Sequence, residues 1–483
     1  VPLTPTTTTP PRLARPLRTA TLAAHARRID IPNYDRSALA TGVVHISVGS
    51  FHRAHQAVYF DDLARLGHRE WGVLGVSLHR PHVQQALAAQ DGLYTVIARG
   101  GDDGDAARVV GTHTGCLFAP GDRERVLHAL ADPRTHVVTL TITADGYRDT
   151  GPGSAPACIA QALARRRRHG LRPFTVLSCD NVSDNGALTR RAVVAAAARH
   201  DPLLAAWIEA ETAFPASMVD RITPQATDAT RALVAERYGV ADRSPVVTEP
   251  FRQWVIEDRF SAARPPLDAV GVELVGDVAP YALLKTRTLN AAHCALGHLA
   301  ALAGHTTTAA AMDDPVLAAY TRALLGEVTP LLPRVPGTDA TAYTDTVCAR
   351  LANPVIGDRL TRLRRNGASK MATHVLSSLG EARAARRPRG ALTLAAAAWV
   401  HCLTAQDAGA SGLEIDDAVA DRIRRSGRDH RSLLADPSLC GPQASDPGFA
   451  AEVGAAVERL RRHGARAAAA GAAAALPPEA AVR

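Results

Sequence analysis

Between residues 43 and 200 the chain alternates two rhythms of apolar and polar positions. Short runs of β-branched and aliphatic side chains stand at 43–49 (VVHISVG), 71–78 (WGVLGVSL), 93–99 (LYTVIAR), 136–143 (HVVTLTIT) and 174–180 (FTVLSCD). Between and after them lie segments of ten or more residues with helical periodicity, at 51–67, 81–90, 123–133, 155–170 and 186–200. The first rhythm predicts buried strands and the second amphipathic helices. Strands alternating with helices of this length imply βαβ units, a parallel sheet and helical layers on its faces. From Pro280 onward the pattern changes to long alanine- and leucine-rich helices with few strand candidates.

The expected fold class is therefore α/β, a Rossmann-like parallel-sheet domain followed by a mostly α-helical C-terminal domain. The boundary falls near 270–280, giving a dinucleotide-binding domain at 31–276 and a helical substrate domain at 277–465. A chain of 483 residues is long enough for two cores. Residues 1–30 are rich in Pro, Thr and Arg and lack the apolar centre of a secretory signal, so they are expected to be a disordered lead-in. The alanine-rich end, 466–483, is expected to be a helix tail that frays.

A net charge of +8 and a pI near 9.4 invite a nucleic-acid reading. The arginines, however, are spread along the whole chain beside acids, and the densest run, at 164–170, closes a predicted helix where cations favour the dipole. No nucleic-acid or membrane partner is expected, and a monomer is the default. Seven scattered cysteines without a CxxC pair or zinc spacing suggest reduced thiols, a cytoplasmic protein and no metal site.

The glycine turn after the first strand, Ser47-Val48-Gly49-Ser50-Phe51, leads into a helix, as a pyrophosphate site requires. It has one glycine where the usual fingerprint has two or three. The second strand ends in Ser77-Leu78-His79-Arg80, with no acid for ribose hydroxyls. Arg80 could accept a 2′-phosphate, so NAD is the expected cofactor and NADP stays open.

Only two of the 55 basic side chains are lysines, Lys285 and Lys370. Lys285 opens KTRTLNAAH, with Asn290 and His293 five and eight residues on. On a straight α-helix these offsets fall roughly 140° and 80° round from Lys285. A secondary alcohol gives up hydride only as its hydroxyl proton leaves, which calls for a base and for donors to the oxyanion. A shielded lysine can serve as that base, whereas arginine stays charged. Asn290 can donate its amide, and His293 can hold a second hydroxyl.

Five blocks, VVHISVGSFHRAHQAVYFDDL, FTVLSCDNVSDNG, FPASMVDRITP, TEPFRQWVIEDRF and LLKTRTLNAAH, occur in this order. With them the sequence resembles the long-chain, zinc-independent polyol dehydrogenases that include mannitol 2-dehydrogenase and fructuronate reductase (mannonate oxidoreductase), over roughly residues 32–417. The resemblance implies a substrate cleft between the two domains and Lys285 as general base. It implies Asn290 and Asn181 as the oxyanion pair, His293 as a substrate-orienting residue, Asp220 close to nicotinamide and substrate, Lys370 as a substrate-binding residue and Arg53 in the cofactor segment. This sequence departs from the family in Ser47 for a glycine, in Ala144 and Ala282 where Glu is frequent, and in Met-Ala-Thr-His after Lys370. The expected function is NAD(P)-dependent interconversion of a polyol or sugar acid with its ketone. Mannitol 1-phosphate oxidation and a non-catalytic sugar- or nucleotide-sensing homologue are the alternatives.

Overall fold

A computed structural model describes residues 14–101, 104–365, 367–404, 419, 423 and 429–475. The chain divides into two compact units, Val1–Val278 and Ala279–Arg483.

In the first unit a five-stranded parallel sheet runs, in spatial order, His113–Phe118, Gly72–Ser77, Thr41–Ile46, Val137–Leu140 and Thr175–Ser178. Val43, Val44, Val73, Val138, Leu140 and Val176 are buried on both faces, which explains the unbroken apolar runs. Val126, Leu130, Ile159, Leu163, Val193 and Ile208, from four helices, form a core with one set of strand residues. Tyr59, Phe60, Trp71, Trp254 and Ile256 form a second core with another. Strand order reverses between Thr41–Ile46 and Val137–Leu140, and in such sheets ligands bind beyond the carboxyl ends of the strands at the reversal.

Four expectations are corrected. The run at 93–99 is a strand, but it lies outside the central sheet: Tyr94–Gly101 pairs antiparallel with Gly104–Val110 and parallel with Val246–Thr248. Its partner, GDAARVV, has branched apolar residues only at its last two positions, so it did not stand out as a strand. The helix expected at 51–67 is interrupted at His55, into Ser50–Ala54 and Gln56–Arg65. The lead-in is not disordered throughout, because Arg15–Pro16 pairs with Val240–Ala241 and Leu17, only 1% exposed, enters a core with Ile29, Ile97 and Val240. The strand pairing together with buried Leu17, His25 and Ile29 anchors the segment; residues 1–13 lie outside those described. The last helix, Pro447–Ala474, extends into the alanine-rich end with Ala465 and Ala469 buried, although Gly464 interrupts it at φ 77°; residues 476–483 lie outside those described.

The basic run at the end of helix Ala155–Arg168 is structural. Arg166 is buried and donates to the carbonyls of Arg172 and Asp132, both at 2.7 Å, while Arg165 pairs with Glu124 at 2.8 Å.

The second unit is helical. Helix Gly390–Thr404 is apolar almost all round and packs against Ala291–Leu302, Pro315–Val328 and Pro447–Ala474. Its alanines let the neighbouring backbones come close. No described helix is long and apolar enough to cross a membrane.

Candidate active site

Two features of the first unit converge on the strand reversal. Ser47, just after the first strand, holds φ at 79°. That is the left-handed region where a side chain costs about 1–2 kcal/mol. Its surroundings hold it there: its N–H donates to Val76 O at 2.7 Å, and its carbonyl accepts from Gly49 N–H and from Thr141 Oγ1, both at 2.8 Å. His45 Nε2 lies 3.2 Å from the same carbonyl, and burial pushes this imidazole down to about 3. Ser47→Gly is therefore expected to stabilise the protein by about 0.5–1 kcal/mol, the relief of strain less the larger unfolded-state entropy of glycine. Chemical denaturation of both proteins at one pH checks this, and a less stable variant contradicts it.

Thr143 lies beyond the adjacent strand and is also left-handed, at φ 64°, which is unusual for a β-branched residue. Asp180 fixes it. The carboxylate accepts from Thr143 N–H at 2.8 Å, Ile142 N–H at 3.0 Å and Tyr147 OH at 2.7 Å, while burial pushes the carboxyl pKa up. Ala144 follows, exposed, and Asn181 is exposed directly after Asp180.

The loop between these points suits a ligand that approaches backbone closely. Gly49 has φ −85°, and a Cβ built on it would meet nothing closer than Ser47 O at 4.0 Å. Nothing inside the unit requires glycine at 49, whereas a closely bound pyrophosphate would. Ser50 and Phe51 start the helix that follows, and Phe51 stacks on His55 at 5.0 Å. At the ends of strands Gly72–Ser77 and His113–Phe118 lies a cavity of about 330 Å³, lined by Leu78, His79, Ala119, Pro120, Arg123 and Cys158 among others. Its apolar walls and place in the sheet fit the adenosine half of a dinucleotide. Sequence reasoning missed these residues beyond the strand end itself. Arg80 is exposed at the start of the next helix, its carbonyl accepting from Ser77 Oγ at 2.7 Å.

Arg53 is not on the surface of this loop. Its side chain is 3% exposed, donates to Ser244 O and lies over the Tyr94 ring at 5.5 Å. Burial holds its pKa below the usual guanidinium value. It braces the helix instead of presenting charge at the turn. Asp220 ends strand Ser217–Asp220 and is buried.

In the second unit Lys285 ends helix Ala279–Lys285 and is 6% exposed. Residues Thr286–Asn290 then form a π-helical turn before Ala291–Leu302 continues. Ala291 N–H bonds to Thr286 O, five residues back. This corrects the straight-helix angles, because a five-residue closure brings position 290 back over position 285 instead of leaving it about 140° away. Asn290 is 8% exposed, and its buried Nδ2 has no hydrogen-bond partner among the described residues. His293 Nε2 lies 3.8 Å from Asp358 Oδ2, and Asp358 also accepts from Arg362 Nε at 2.6 Å.

A second π-helical turn, Ala372–Leu376, follows helix Gly367–Met371, which carries Lys370. The two π turns pack against each other. Lys370 Nζ donates to Leu363 O at 3.1 Å, and burial chiefly lowers its pKa. His374, on the second turn, is pushed down to about 3 by burial and then by the charges of Lys285 and Lys370. The structure thus brings Lys285, Asn290, Lys370 and an unanticipated histidine into one neighbourhood. π turns of this kind are frequent at functional sites.

Comparison with known proteins bears on this arrangement. Residues 41–269 match the mannitol dehydrogenase Rossmann domain, and residues 277–460 match the mannitol dehydrogenase C-terminal domain. The chain belongs to the mannitol dehydrogenase family. Mannitol 2-dehydrogenase of Phaeosphaeria nodorum is 38% identical over 94% of this chain and 86% of its own. Mannitol dehydrogenase 2 of Saccharomyces cerevisiae is 39% identical over 90% and 92%. Among solved structures, Pseudomonas fluorescens mannitol 2-dehydrogenase in ternary complex with NAD and D-mannitol superposes with a TM-score of 0.85 at 34% identity, covering 96% of this chain and all of the other. A substrate-free D-sorbitol dehydrogenase gives 0.83 at 30% identity, with 94% and 100% covered. Membership of the mannitol dehydrogenase family makes this protein a polyol dehydrogenase and sets aside the non-catalytic sensor.

Proposed function

We propose that the protein oxidises a secondary hydroxyl of an open-chain polyol to the ketone, of the mannitol-to-fructose type, and catalyses the reverse reduction. The observation that carries this reading is Asn290: a buried amide donor without a partner among the described residues, stacked by a π turn on the same side as a buried lysine. An unsatisfied buried donor costs about 1–3 kcal/mol, a cost that a bound oxyanion would remove. In this reading Lys285 takes the hydroxyl proton at Nζ while Asn290 Nδ2 donates to the developing alkoxide. The roles that the resemblance implies for Asn181 as second amide, for His293 and Lys370 on the remaining hydroxyls, and for Asp220 beside nicotinamide and substrate belong to the same proposal. A nicotinamide dinucleotide, when bound, accepts the hydride.

The relatives' description as mannitol dehydrogenases favours the neutral polyol over a sugar acid or a phosphorylated polyol. The neighbour crystallised with NAD supports NAD. The absence of an acid at Leu78-His79-Arg80 keeps NADP as a second cofactor.

Purified protein would be mixed with NAD or NADP and with mannitol, arabinitol, mannonate or mannitol 1-phosphate, and reduced nicotinamide followed by absorbance. Turnover of mannitol with NAD is expected. A flat trace with every pair, from folded protein that still binds cofactor, overturns the proposal.

A further inference from the structure

The groups gathered around Lys285 are mostly hydrogen-bond donors. Lys370 offers N–H, Asn290 Nδ2 is an amide donor, and protonated Lys285 adds another. His374 breaks this pattern, and its tautomer follows from its neighbours. Thr373 Oγ1 donates to Ser369 O at 2.9 Å, shared with Lys370 O at 3.3 Å. A hydroxyl has one proton, and here that proton is committed. The remaining contact, Thr373 Oγ1 to His374 Nδ1 at 3.1 Å, is then a bond in which Nδ1–H donates. Nε2 is therefore left as a bare lone pair. It has no hydrogen-bond partner among the described residues and is not sealed from solvent. The ring stays neutral through the working range, since burial and the two lysines hold its pKa near 3.

We propose that His374 is a specificity-determining residue whose Nε2 accepts a hydrogen bond from an un-ionised substrate hydroxyl beside Lys285 and Lys370. This rests on the polyol dehydrogenase reading above and adds to it the group that tells a hydroxyl from an anion. A carboxylate or phosphate oxygen has no proton to give, so at this position two lone pairs would face each other. Lys370 alone would welcome an acid; His374 opposes it by demanding a donor. Sites built to bond a hydroxyl reject analogues that lack the donor, because the site's own polar atom is left unpaired.

The test uses full-length protein loaded with cofactor. Affinities for D-mannitol and D-mannonate are measured by calorimetry, and kcat and KM for D-mannitol by absorbance. His374→Phe keeps a planar ring and removes the acceptor; His374→Gln returns an acceptor oxygen. In the phenylalanine variant, mannitol affinity is expected to fall roughly 10- to 100-fold, about 1.4–2.8 kcal/mol, chiefly as a rise in KM. Mannonate affinity changes less than threefold, so the ratio of the two moves by at least about threefold, and the glutamine variant recovers part of the loss. Equal losses for both ligands, or unchanged mannitol affinity, overturn the assignment. If the phenylalanine variant does not fold, His374→Leu replaces it, with melting temperature and cofactor binding as the control. Failure of wild-type protein to turn over any polyol would overturn the dehydrogenase reading, whereas the affinity ratio tests His374 itself, so the two can fail separately.

Discussion

Lys285→Arg is expected to lower kcat for polyol oxidation by about 10³–10⁴-fold, near the upper range for loss of a positioned general base, while leaving cofactor affinity within about twofold. The substitution keeps a long basic side chain, so charge and bulk change little. What it removes is the ability to become neutral. Guanidinium does not deprotonate in proteins, so it cannot take a hydroxyl proton. Lys285 lies at 6% exposure, where a side chain with no other duty would seldom place an amine. Steady-state kinetics with mannitol, beside a fluorescence titration of the cofactor, separates lost chemistry from lost binding. A rate within tenfold of wild type would remove the base assignment.

Asn290→Ala is expected to lower kcat about 10²–10³-fold with a smaller change in KM, because a donor aimed at an oxyanion acts most strongly when charge has developed. Folding should suffer little. Nδ2 has no partner among the described residues, so its loss breaks no bond within them and removes a buried unsatisfied group. This combination, large in rate and small in stability, distinguishes a catalytic donor from a structural amide. A melting temperature several degrees lower with unchanged kcat would assign Asn290 to the core instead.

Four of the five central strands were legible because they are buried on both faces, so apolar runs such as Val43–Ile46 and Val137–Leu140 stood out without help from neighbours, whereas the half-exposed edge strand His113–Phe118 did not. The scarcity of lysine marked Lys285 and Lys370, and His374 lies within reach of both charges. What remained hidden depends on long-range partners. Strand Gly104–Val110 gave no signal because its only branched apolar residues, Val109 and Val110, stand at one end, and its pairing defines the rest. Leu17 is one residue in a proline-rich segment, and only the pocket formed with Ile97 and Val240 explains its burial. Ser47 was noted as out of place in a glycine turn, and the structure adds that its backbone is in the conformation glycine would adopt. Thr143 carried no signal, since nothing local announces that Asp180, far along the chain, will hold a β-branched residue left-handed. The π turns were invisible for a related reason. TRTLN contains neither glycine nor proline, and a widened turn differs from a regular one only in its closure.

That widened turn in effect carries one surplus residue, and a surplus residue can be deleted. Removing Thr286 would let the segments on either side merge into one continuous regular helix with ordinary four-residue closures. Lys285 and Asn290 would then stand four residues apart, about 40° round a regular helix, and so would still share a side. Such a shortened chain would keep its hydrophobic interior, gain backbone regularity and leave the amine and the amide on one side. The widened turn thus lets a five-residue spacing present two groups as a four-residue spacing would in a regular helix.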